Sequence, residues 1–486
     1  MDSTVNLNDL NRDSDWSQVR ATVLGLGIAG YAAADNLTFI GAQVTAIDER
    51  DTLDLQEKKN VLETLGAKVI LGEPLALPPV SNIVVVSPGL PPSHPVIQTA
   101  IANGIPVWGE LELAWRLRET TNPAPWLCVT GTNGKTTTTL MLESMLQAAG
   151  LRAVAAGNIG RSLIEVVMDP EPYDVIAVEV GAPQLPFVYS MSPLASVCLN
   201  VAEDHVDHFG SMDEYVATKA KIYERTQVAA IYNSNDETTL NMVREADVVE
   251  GCRAVGFTLA VPMPGEFGVV EEFLIDRTFI EDTKNQATEL AELEDVQPAA
   301  LHNVSNALAA AALARAYGIS PDAVKLGLKN FEPAAHRVAH VATVNGIKYI
   351  DDSKATNAHA AQTAINSFEN VIWIAGGDAK GQDFTTLAKS VANKIKAVVL
   401  LGRDRAEIKK ALDEFAPNIP QIEVSNLEPE AIDEVVQKAT EIAVSGDVVL
   451  LAPACASWDM YQNYSQRGDM FAHAVLKLTG DSNGSN

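Results

Sequence analysis

Short apolar runs alternate with longer stretches of mixed polarity along most of the chain. In the N-terminal part these runs are Ala21–Leu24, Val44–Ile47, Val69–Leu71 and Ile83–Val86. Short apolar runs separated by helical patterns are typical of parallel strands joined by helices. The pattern therefore predicts a parallel α/β sheet within residues 21–107.

Two further series of apolar runs follow, which predicts three α/β units in all. The polar run Glu119–Pro125 is typical of a linker before the second series. The runs of the second series are Trp126–Val129, Val175–Val178 and Ser196–Leu199, and those of the third are Lys348–Ile350, Val371–Ala375, Ala397–Leu401 and Val448–Leu451. Between the two series, the Ala-rich stretch Ala307–Tyr317 predicts a helix that ends at Gly318.

Composition narrows the class of protein. The chain has 486 residues, and its 63 acidic side chains exceed its 35 basic ones. This excess argues against nucleic-acid binding, which draws its affinity from Lys and Arg. No apolar run reaches the roughly 18 residues of a membrane span, and the polar N-terminus does not resemble a signal peptide. We therefore expect a cytoplasmic protein that does not insert into membranes.

The four cysteines and the acidic residues give no sign of a metal or disulfide site. The cysteines lie far apart, which indicates neither a disulfide framework nor a zinc site. Residues Glu266–Asp295 hold ten acidic and two basic side chains. Such a charge run predicts a solvent-exposed hairpin and loop.

The first chemical motif is the glycine turn Gly25-Leu26-Gly27-Ile28-Ala29-Gly30, between a predicted strand and a predicted helix. Its glycines would let backbone N–H groups approach a diphosphate at the helix N-terminus, and Asp48 ends the next strand. The ligand is open at this point: a dinucleotide cofactor and a nucleotide such as a UDP-sugar both fit. Arg50 is either a phosphate partner or a surface charge.

The second motif is the loop Gly131-Thr132-Asn133-Gly134-Lys135-Thr136-Thr137, which follows the strand Trp126–Val129. Its backbone amides and Lys135 would hold the β- and γ-phosphates of a nucleotide, and Thr136 would reach Mg²⁺. Val129 stands where the full phosphate-loop pattern has its first glycine, so this is a variant of the loop. The motif predicts a polyphosphate site.

Polar residues after two other predicted strands are candidates for a metal site. Glu179 ends one strand, at the edge where α/β sheets bind ligands. The dense polar cluster Asn200–Phe209 follows another strand and includes His205. We expect Glu179 to hold a metal ion or its water, while His205 on its own is either a functional or a structural histidine.

The order of these motifs resembles the Mur ligases of peptidoglycan synthesis, from about Val23 to Leu476. Further motifs in the order of that family are Gly157–Gly160, Asn200–Asp207, His302–Asn306 and Asp352–Asn357. Within the family the chain is similar to the members that add D-glutamate. The features behind this likeness are the glycine turn, Ser87–Gly89 with His94-Pro95, and Ala452–Asp459.

The resemblance implies three domains and one reaction. A Rossmann-like UDP-binding domain would span residues 1–121, a P-loop ATPase domain 122–331 and a Rossmann-like amino-acid domain 332–486. The enzyme would be a monomeric ligase that uses ATP, with D-glutamate and UDP-N-acetylmuramoyl-L-alanine as substrates and an acyl phosphate as intermediate. The alternatives are a Mur ligase of different amino-acid specificity, an NAD(P)-dependent dehydrogenase, which would leave Gly131–Thr137 unused, and a non-catalytic nucleotide-binding regulator.

The resemblance also implies site residues, group by group. The UDP-substrate would contact Gly27, Ile28, Ala29, Arg50, Gly89 and Asn158. ATP would contact Gly131, Thr132, Asn133, Gly134, Lys135, Thr136, Thr137, Asn303, Asn306, Arg337, Asp352 and Lys354. Two Mg²⁺ ions would lie at Thr136, Glu179, His205 and Lys219, with Lys219 carbamylated, and the catalytic set would be Lys135, Glu179, His205 and Lys219. D-glutamate would contact Thr356, Lys380, Ser457 and Tyr464.

One segment departs from the family pattern. Gly181-Ala182-Pro183 stand where the family usually has Ser-Ser-Phe, between the retained Glu179 and Gln184. The substitution removes both hydroxyl groups and the aromatic ring at that place.

Overall fold

The structure, a computed structural model, describes residues 7–204, 209–297, 300–333 and 336–479. The chain forms two compact units, Met1–Phe331 and Glu332–Asn486. The first unit contains sheets of five and nine strands, and the second contains a sheet of six strands. The predicted α/β class with largely parallel sheets is confirmed. Within the described ranges, no helix has the length and apolarity needed to cross a membrane.

The first sheet is parallel throughout. Its strands are β1 (Arg20–Leu24), β2 (Gln43–Asp48), β3 (Lys68–Leu71), β4 (Ile83–Val86) and β5 (Val107–Trp108), and its helices are α1 (Ile28–Phe39), α2 (Leu53–Leu65), α3 (Pro95–Ala102) and α4 (Glu110–Arg116). The strand order is β3-β2-β1-β4-β5. The order reverses between β1 and β4, which is the point where open α/β sheets bind ligands.

The second sheet has a parallel body and an antiparallel edge. Its strands are β6 (Trp126–Thr130), β7 (Ala153–Gly157), β8 (Val175–Glu179), β9 (Ala195–Cys198), β10 (Ala229–Asn233), β11 (Arg253–Phe257), β12 (Glu266–Val270), β13 (Phe273–Asp276) and β14 (Thr288–Glu292). They run in the order β14-β13-β12-β11-β10-β9-β6-β8-β7, and β13 is antiparallel to both of its neighbours, β12 and β14. Strand β6, which leads into the phosphate loop, is therefore central and fully buried.

Two helices of this sheet pack closely against the phosphate-loop helix. The helices of the sheet are α5 (Lys135–Ala148), α6 (Leu163–Val167), α7 (Met212–Ala220), α8 (Glu237–Glu245), α9 (Leu301–Tyr317) and α10 (Pro321–Asn330). Both α9 and α10 pack against α5. At Gly327 the approach is so close that a β-carbon would lie 2.4 Å from Cα of Met145. The buried alanines of α9 allow a similarly dense packing.

The acidic segment 266–295 is less exposed than its composition predicts. It supplies strands β12, β13 and β14, and two of its acids are buried, Asp276 at 0% exposure and Asp295 at 7%. Asp276 forms an ion pair with Arg315 at 2.9 Å, and Asp295 lies 3.4 Å from Lys329. The expectation of a solvent-exposed hairpin is therefore wrong at these two acids, because a charge run does not reveal which of its members are buried beside a cation.

The second unit has a third α/β sheet. Its strands are β15 (Ala339–Val344), β16 (Ile347–Asp351), β17 (Val371–Gly376), β18 (Ile395–Leu401), β19 (Gln421–Glu423) and β20 (Val448–Leu451), and its helices are α11 (Ala358–Asn366), α12 (Thr385–Val391), α13 (Arg405–Phe415), α14 (Ala431–Ile442) and α15 (Tyr464–Leu478). The order is β15-β16-β20-β17-β18-β19, and only β15 is antiparallel. Strands β16, β20 and β17 are neighbours, so the loops after them meet at one edge.

Candidate active site

The glycine turn after β1 leaves the backbone at the start of α1 accessible. Gly25 has φ +85°, and a β-carbon at Gly30 would lie 1.8 Å from the carbonyl oxygen of Gly25. Ile28 is 72% exposed, and a β-carbon at Gly27 or Gly89 would meet nothing within 4 Å. The turn therefore offers an accessible helix N-terminus, beside the Gly89 loop that follows β4.

Asp48 holds this turn in place. Its carboxylate accepts hydrogen bonds from the backbone N–H of Leu26 at 2.8 Å and from Nε of Arg50 at 3.0 Å. Burial opposes ionisation of Asp48, but the hydrogen bonds from Arg50 and Leu26 outweigh it, so the pKa of this carboxyl lies below its usual value. Arg50 pairs with Asp48 while its side chain stays 65% exposed.

The phosphate loop has the backbone shape that its glycines predict. Gly131 has φ +151° and Gly134 has φ +85°, and α5 begins directly at Lys135. Nζ of Lys135 donates to the carbonyl oxygens of Gly131 at 2.8 Å and Thr132 at 2.9 Å. Lys135 thus lies folded over the loop, with Thr136 and Thr137 buried behind it.

Two asparagine groups brace the loop from either side. The amide of Asn200 accepts from the backbone N–H of Asn133 at 2.9 Å and donates to its carbonyl at 3.1 Å. On the other side, a β-carbon at Gly134 would lie 2.4 Å from Oδ1 of Asn306. Asn306 also donates to Oδ1 of Asn303 at 3.4 Å, so the two predicted adenine contacts form one buried pair beside the loop.

Glu179 is buried one strand away from the phosphate loop. It lies opposite Val129 of β6 and Gly157 of β7 in the sheet register. Its Oε1 accepts a hydrogen bond from Nδ2 of Asn158 at 2.9 Å. Its Oε2 is buried without a hydrogen-bond partner among the described residues. A buried carboxylate oxygen with no partner is costly unless a cation or water binds it, so this oxygen suits a metal ion.

Lys219, on α7, is buried at 1% exposure, and Nζ lies 4.8 Å from the ring centroid of Tyr215. Burial, together with the positive charge of Lys135, lowers the pKa of Lys219 to about 7. The sequence alone would suggest a surface lysine at this position. In the structure Lys219 is buried instead. His205, the other predicted residue of this group, lies outside the described residues.

In the second unit, Asp352 and Arg337 lie close together. Oδ1 of Asp352 accepts from the backbone N–H of Val338 at 3.2 Å. Burial raises the pKa of Asp352 to about 7, although the charge of Arg337 opposes the shift. Nε of Arg337 is buried without a hydrogen-bond partner in the described part of the chain. Lys354 follows in the same loop, with Nζ 5.0 Å from the ring centroid of Tyr464.

The predicted D-glutamate residues follow three neighbouring strands. Thr356 comes after β16, Ser457 after β20 and Lys380 after β17, and Tyr464 begins α15. Nζ of Lys380 lies 4.4 Å from the ring centroid of Trp458, whose side chain is 68% exposed. The fold thus brings these residues to one edge of the third sheet.

Sequence reasoning missed Arg467. This arginine is 1% exposed and ties two site loops together, because its guanidinium donates to both oxygens of Ser353 at 2.9 and 2.8 Å and to the carbonyl of Cys455 at 3.2 Å. Burial lowers its pKa to about 10. Its position three residues after Tyr464, on the same helix face, was the available signal.

Comparisons with protein families cover most of the chain. A model of the "Mur ligase MurD-like, N-terminal domain" matches residues 19–109, one of the "Mur ligase middle domain" matches 129–314, and one of the "Mur ligase, glutamate ligase domain" matches 336–455. The chain belongs to the Mur ligase family. The resemblance read from the motifs is confirmed, and the chain is a ligase of this family.

Curated relatives are similar over their whole length. The UDP-N-acetylmuramoylalanine–D-glutamate ligase of Streptomyces avermitilis is 50% identical, with 96% of this chain and 99% of the relative aligned. That of Thermobifida fusca is 47% identical over 95% of this chain and 99% of the relative. Among solved structures, UDP-N-acetylmuramate–alanine ligase MurC of Thermotoga maritima matches with a TM-score of 0.57 and 19% identity, over 94% of this chain and 99% of that one. At this identity the structural likeness supports the fold.

Proposed function

We propose that this chain joins D-glutamate to UDP-N-acetylmuramoyl-L-alanine at the expense of ATP, as a step in peptidoglycan precursor synthesis. The names and full-length similarity of the curated relatives support the substrates. The observation that carries the proposal is the pairing of the phosphate loop at the start of α5 with a buried, partnerless oxygen of Glu179 one strand away, among the residues that the structure describes. That pairing suits a nucleoside triphosphate with a divalent cation. A dehydrogenase would have no comparable use for these two features.

The residues present fit bound Mg²⁺. The hydroxyl of Thr136, Oε2 of Glu179, His205 and a carbamylated Lys219 would hold two ions between them. Bound Mg²⁺ neutralises phosphate charge and draws electron density from the γ-phosphorus. Carbamylation converts the amine of Lys219 into an anion, which suits this role better than an ammonium. Its pKa of about 7 supports the idea, because only a neutral amine reacts with CO₂.

The first chemical step is phosphorylation of the acceptor. A carboxylate oxygen of the L-alanyl group attacks the γ-phosphorus of ATP, the bond to the β–γ bridging oxygen breaks, and ADP leaves. Lys135 and the loop amides hold the phosphates in line for this attack. Asn303 and Asn306 contact the adenine, and the family resemblance assigns Arg337, Asp352 and Lys354 to ATP as well.

The second step forms the amide bond. The neutral amine of D-glutamate attacks the acyl carbon, a tetrahedral intermediate forms, and inorganic phosphate leaves as the amine loses its proton. Lys380, Thr356, Ser457 and Tyr464 hold D-glutamate for this attack. Lys380 supplies the positive charge that a substrate with two carboxylates needs.

Under the proposed function, each part of the chain binds a different substrate. Residues 1–121 bind the UDP group through the glycine turn, Arg50, Gly89 and neighbouring Ile28 and Ala29, while Asn158 meets the muramoyl part. Residues 122–331 bind ATP, and residues 332–486 bind the amino acid. One chain then contains every substrate site, so we propose a monomer. Because the reaction uses ATP, we propose that it takes place in the cytoplasm.

A trapping experiment tests the acyl phosphate directly. With ATP and UDP-N-acetylmuramoyl-L-alanine, hydroxylamine in place of D-glutamate should give a hydroxamate and one phosphate per turnover. Lys135→Ala should lower this rate by about 10³-fold, because it removes a charge from the transferring phosphate, while the melting temperature stays unchanged. Phosphate release without hydroxamate, or near-normal turnover in the variant, would contradict the mechanism.

A further inference from the structure

The short helix α4 carries two buried glutamates that face the second sheet. Glu110 is 4% exposed and Glu112 is 0% exposed. Both carboxylates accept hydrogen bonds from residues that follow the phosphate-loop strand in the sequence, although α4 itself follows the last strand of the first sheet. Burying a carboxylate is costly unless hydrogen-bond donors meet it, so these contacts hold the two glutamates in place.

Glu110 joins two separate segments of the second sheet. Its Oε1 accepts from the hydroxyl of Ser162 at 2.7 Å and from the backbone N–H of Leu163 at 3.0 Å. Its Oε2 accepts from Nε2 of Gln184 at 3.2 Å. Ser162 is the N-cap of α6, and Gln184 lies in the turn after β8.

The contacts continue from these segments to the candidate metal ligand. Oε1 of Gln184 accepts from the backbone N–H of Gly181 at 2.8 Å, two residues after Glu179. Asn158, four residues before Ser162, donates through Nδ2 to Oε1 of Glu179 and through its backbone N–H to the Glu179 carbonyl at 2.8 Å. Glu110 therefore completes a closed ring of contacts. The ring runs through the segments that contain Ser162 and Gln184, and these two segments join at Glu179.

At every contact of this ring, it is fixed which group donates and which accepts. The N–H of Gly181 can only donate, so the Gln184 amide must present its oxygen there and its NH₂ group to Glu110. Glu110 in turn must accept, which an ionised carboxylate does and an amide NH₂ group cannot. No contact in the ring can be reversed alone.

We propose that Glu110 is a positioning residue for the ligase reaction: through Gln184 and Ser162 it sets the placement of Glu179 and Asn158 relative to the UDP-binding sheet. The inference rests on the proposed function. The N–H of Gly181, in the segment that departs from the family pattern, is one of the contacts of this ring.

Glu110→Gln tests the ring with almost no change in volume. The new amide must keep its oxygen towards Leu163, whose N–H can only donate, so its NH₂ group faces the NH₂ group of Gln184. Gln184 can relieve this conflict only by turning over, which sets its NH₂ group against the N–H of Gly181. We expect the Mg²⁺ concentration for half-maximal rate and the KM for UDP-N-acetylmuramoyl-L-alanine each to rise about tenfold, as for other residues that orient metal ligands.

A second substitution should repair the first. In Glu110→Gln/Gln184→Glu, the carboxylate introduced in the turn after β8 accepts both from the amide introduced on α4 and from the N–H of Gly181, so the ring is complete with one contact reversed. We expect both constants to return to within about twofold of the wild type. In Gln184→Glu alone, two carboxylates face each other across the same contact. This variant should therefore be the most impaired of the three.

Glu112→Gln is the matched control. Glu112 lies on the same helix and is equally buried, but it accepts from the backbone N–H groups of Tyr189 and Ser190 and from Arg116. These contacts do not reach Glu179. The control should lower the melting temperature while leaving the Mg²⁺ dependence and the KM of the UDP-substrate unchanged.

The outcomes are distinct. Parallel changes in Glu110→Gln and Glu112→Gln, or a double variant no better than Glu110→Gln, would overturn the positioning role. If Glu110→Gln does not fold, Ser162→Ala removes one donor to the same carboxylate and should shift the same two constants in the same direction. A wild-type enzyme that releases no phosphate with D-glutamate would instead overturn the proposed function.

Discussion

Two buried side chains, Lys219 and Asp352, have pKa values moved towards neutrality from opposite sides. Burial lowers the pKa of Lys219 to about 7 and raises that of Asp352 to about 7. Each group can therefore take up its neutral form close to physiological pH. Low-dielectric surroundings favour the neutral forms of both side chains. From the sequence alone, a lysine and an aspartate would be expected to be charged.

The neutral fraction of Lys219 makes its carbamylation testable. In ¹³C-bicarbonate at pH 8, above the pKa of about 7, the wild-type enzyme should give one carbamate signal in its ¹³C NMR spectrum. The signal should weaken below pH 7, because protonation removes the nucleophilic amine. Lys219→Ala should lack the signal and lose activity, and an unchanged spectrum in that variant would assign the carbamate elsewhere.

The contact between Lys380 and Trp458 predicts a specific kinetic effect. Trp458→Ala removes the ring that lies 4.4 Å from Nζ of Lys380 and frees the ammonium to move. The KM for D-glutamate should rise about threefold to tenfold, and Lys380→Ala should raise it further, whereas the KM for ATP stays unchanged. Trp458→Phe keeps an aromatic face and should be nearly normal. Equal effects on both KM values would contradict this placement.

Individual residues show where sequence reasoning succeeds and where it stops. The phosphate loop was predictable because Gly131, Gly134 and Lys135 are required by local backbone geometry and phosphate charge. Glu110 was not, because its partner Ser162 lies 52 residues away in the sequence, and Arg467 was missed because its partner Ser353 lies 114 residues away. The roles assigned to the site residues stay predictions.

At the scale of elements, hydrophobic patterning located the central strands but not the sheet edge. Strand β4 matches its predicted run, and β20 does as well. Fully buried strands of a parallel sheet are continuous apolar runs, which makes them easy to recognise. Strands β12, β13 and β14 mix acidic and apolar residues at an edge, so their composition predicts a hairpin and loop but does not show that they extend the sheet.

The ion pair between Asp276 and Arg315 joins that edge to α9. Oδ2 of Asp276 accepts from Nε of Arg315 at 2.9 Å, and Oδ1 accepts from the N–H groups of Thr278 and Phe279. Asp276→Ala leaves a mostly buried guanidinium unpaired and should lower the free energy of unfolding by about 3–5 kcal/mol.

Urea denaturation measures this loss, with Glu289→Gln as the control. Glu289 is an exposed acid on the neighbouring strand β14, and its substitution should change the free energy of unfolding by less than about 0.5 kcal/mol. Similar values for the two variants would show that the ion pair does not stabilise this edge.

At the scale of the whole molecule, the net charge of −28 conflicts with ligands that are all anions under the proposed function. Long-range attraction cannot capture them. Instead, local groups must do so: the N-termini of α1 and α5, Lys135, Lys380 and bound Mg²⁺. The acidic excess then contributes to solubility on outer surfaces.

One assay tests the central claim most directly. Phosphate release is followed with ATP, Mg²⁺ and UDP-N-acetylmuramoyl-L-alanine, and D-glutamate, L-glutamate and L-alanine are added in separate reactions. We predict release with D-glutamate alone, matched by one new amide bond per phosphate. Release with L-alanine or L-glutamate, or none with any of the three, would contradict the assignment.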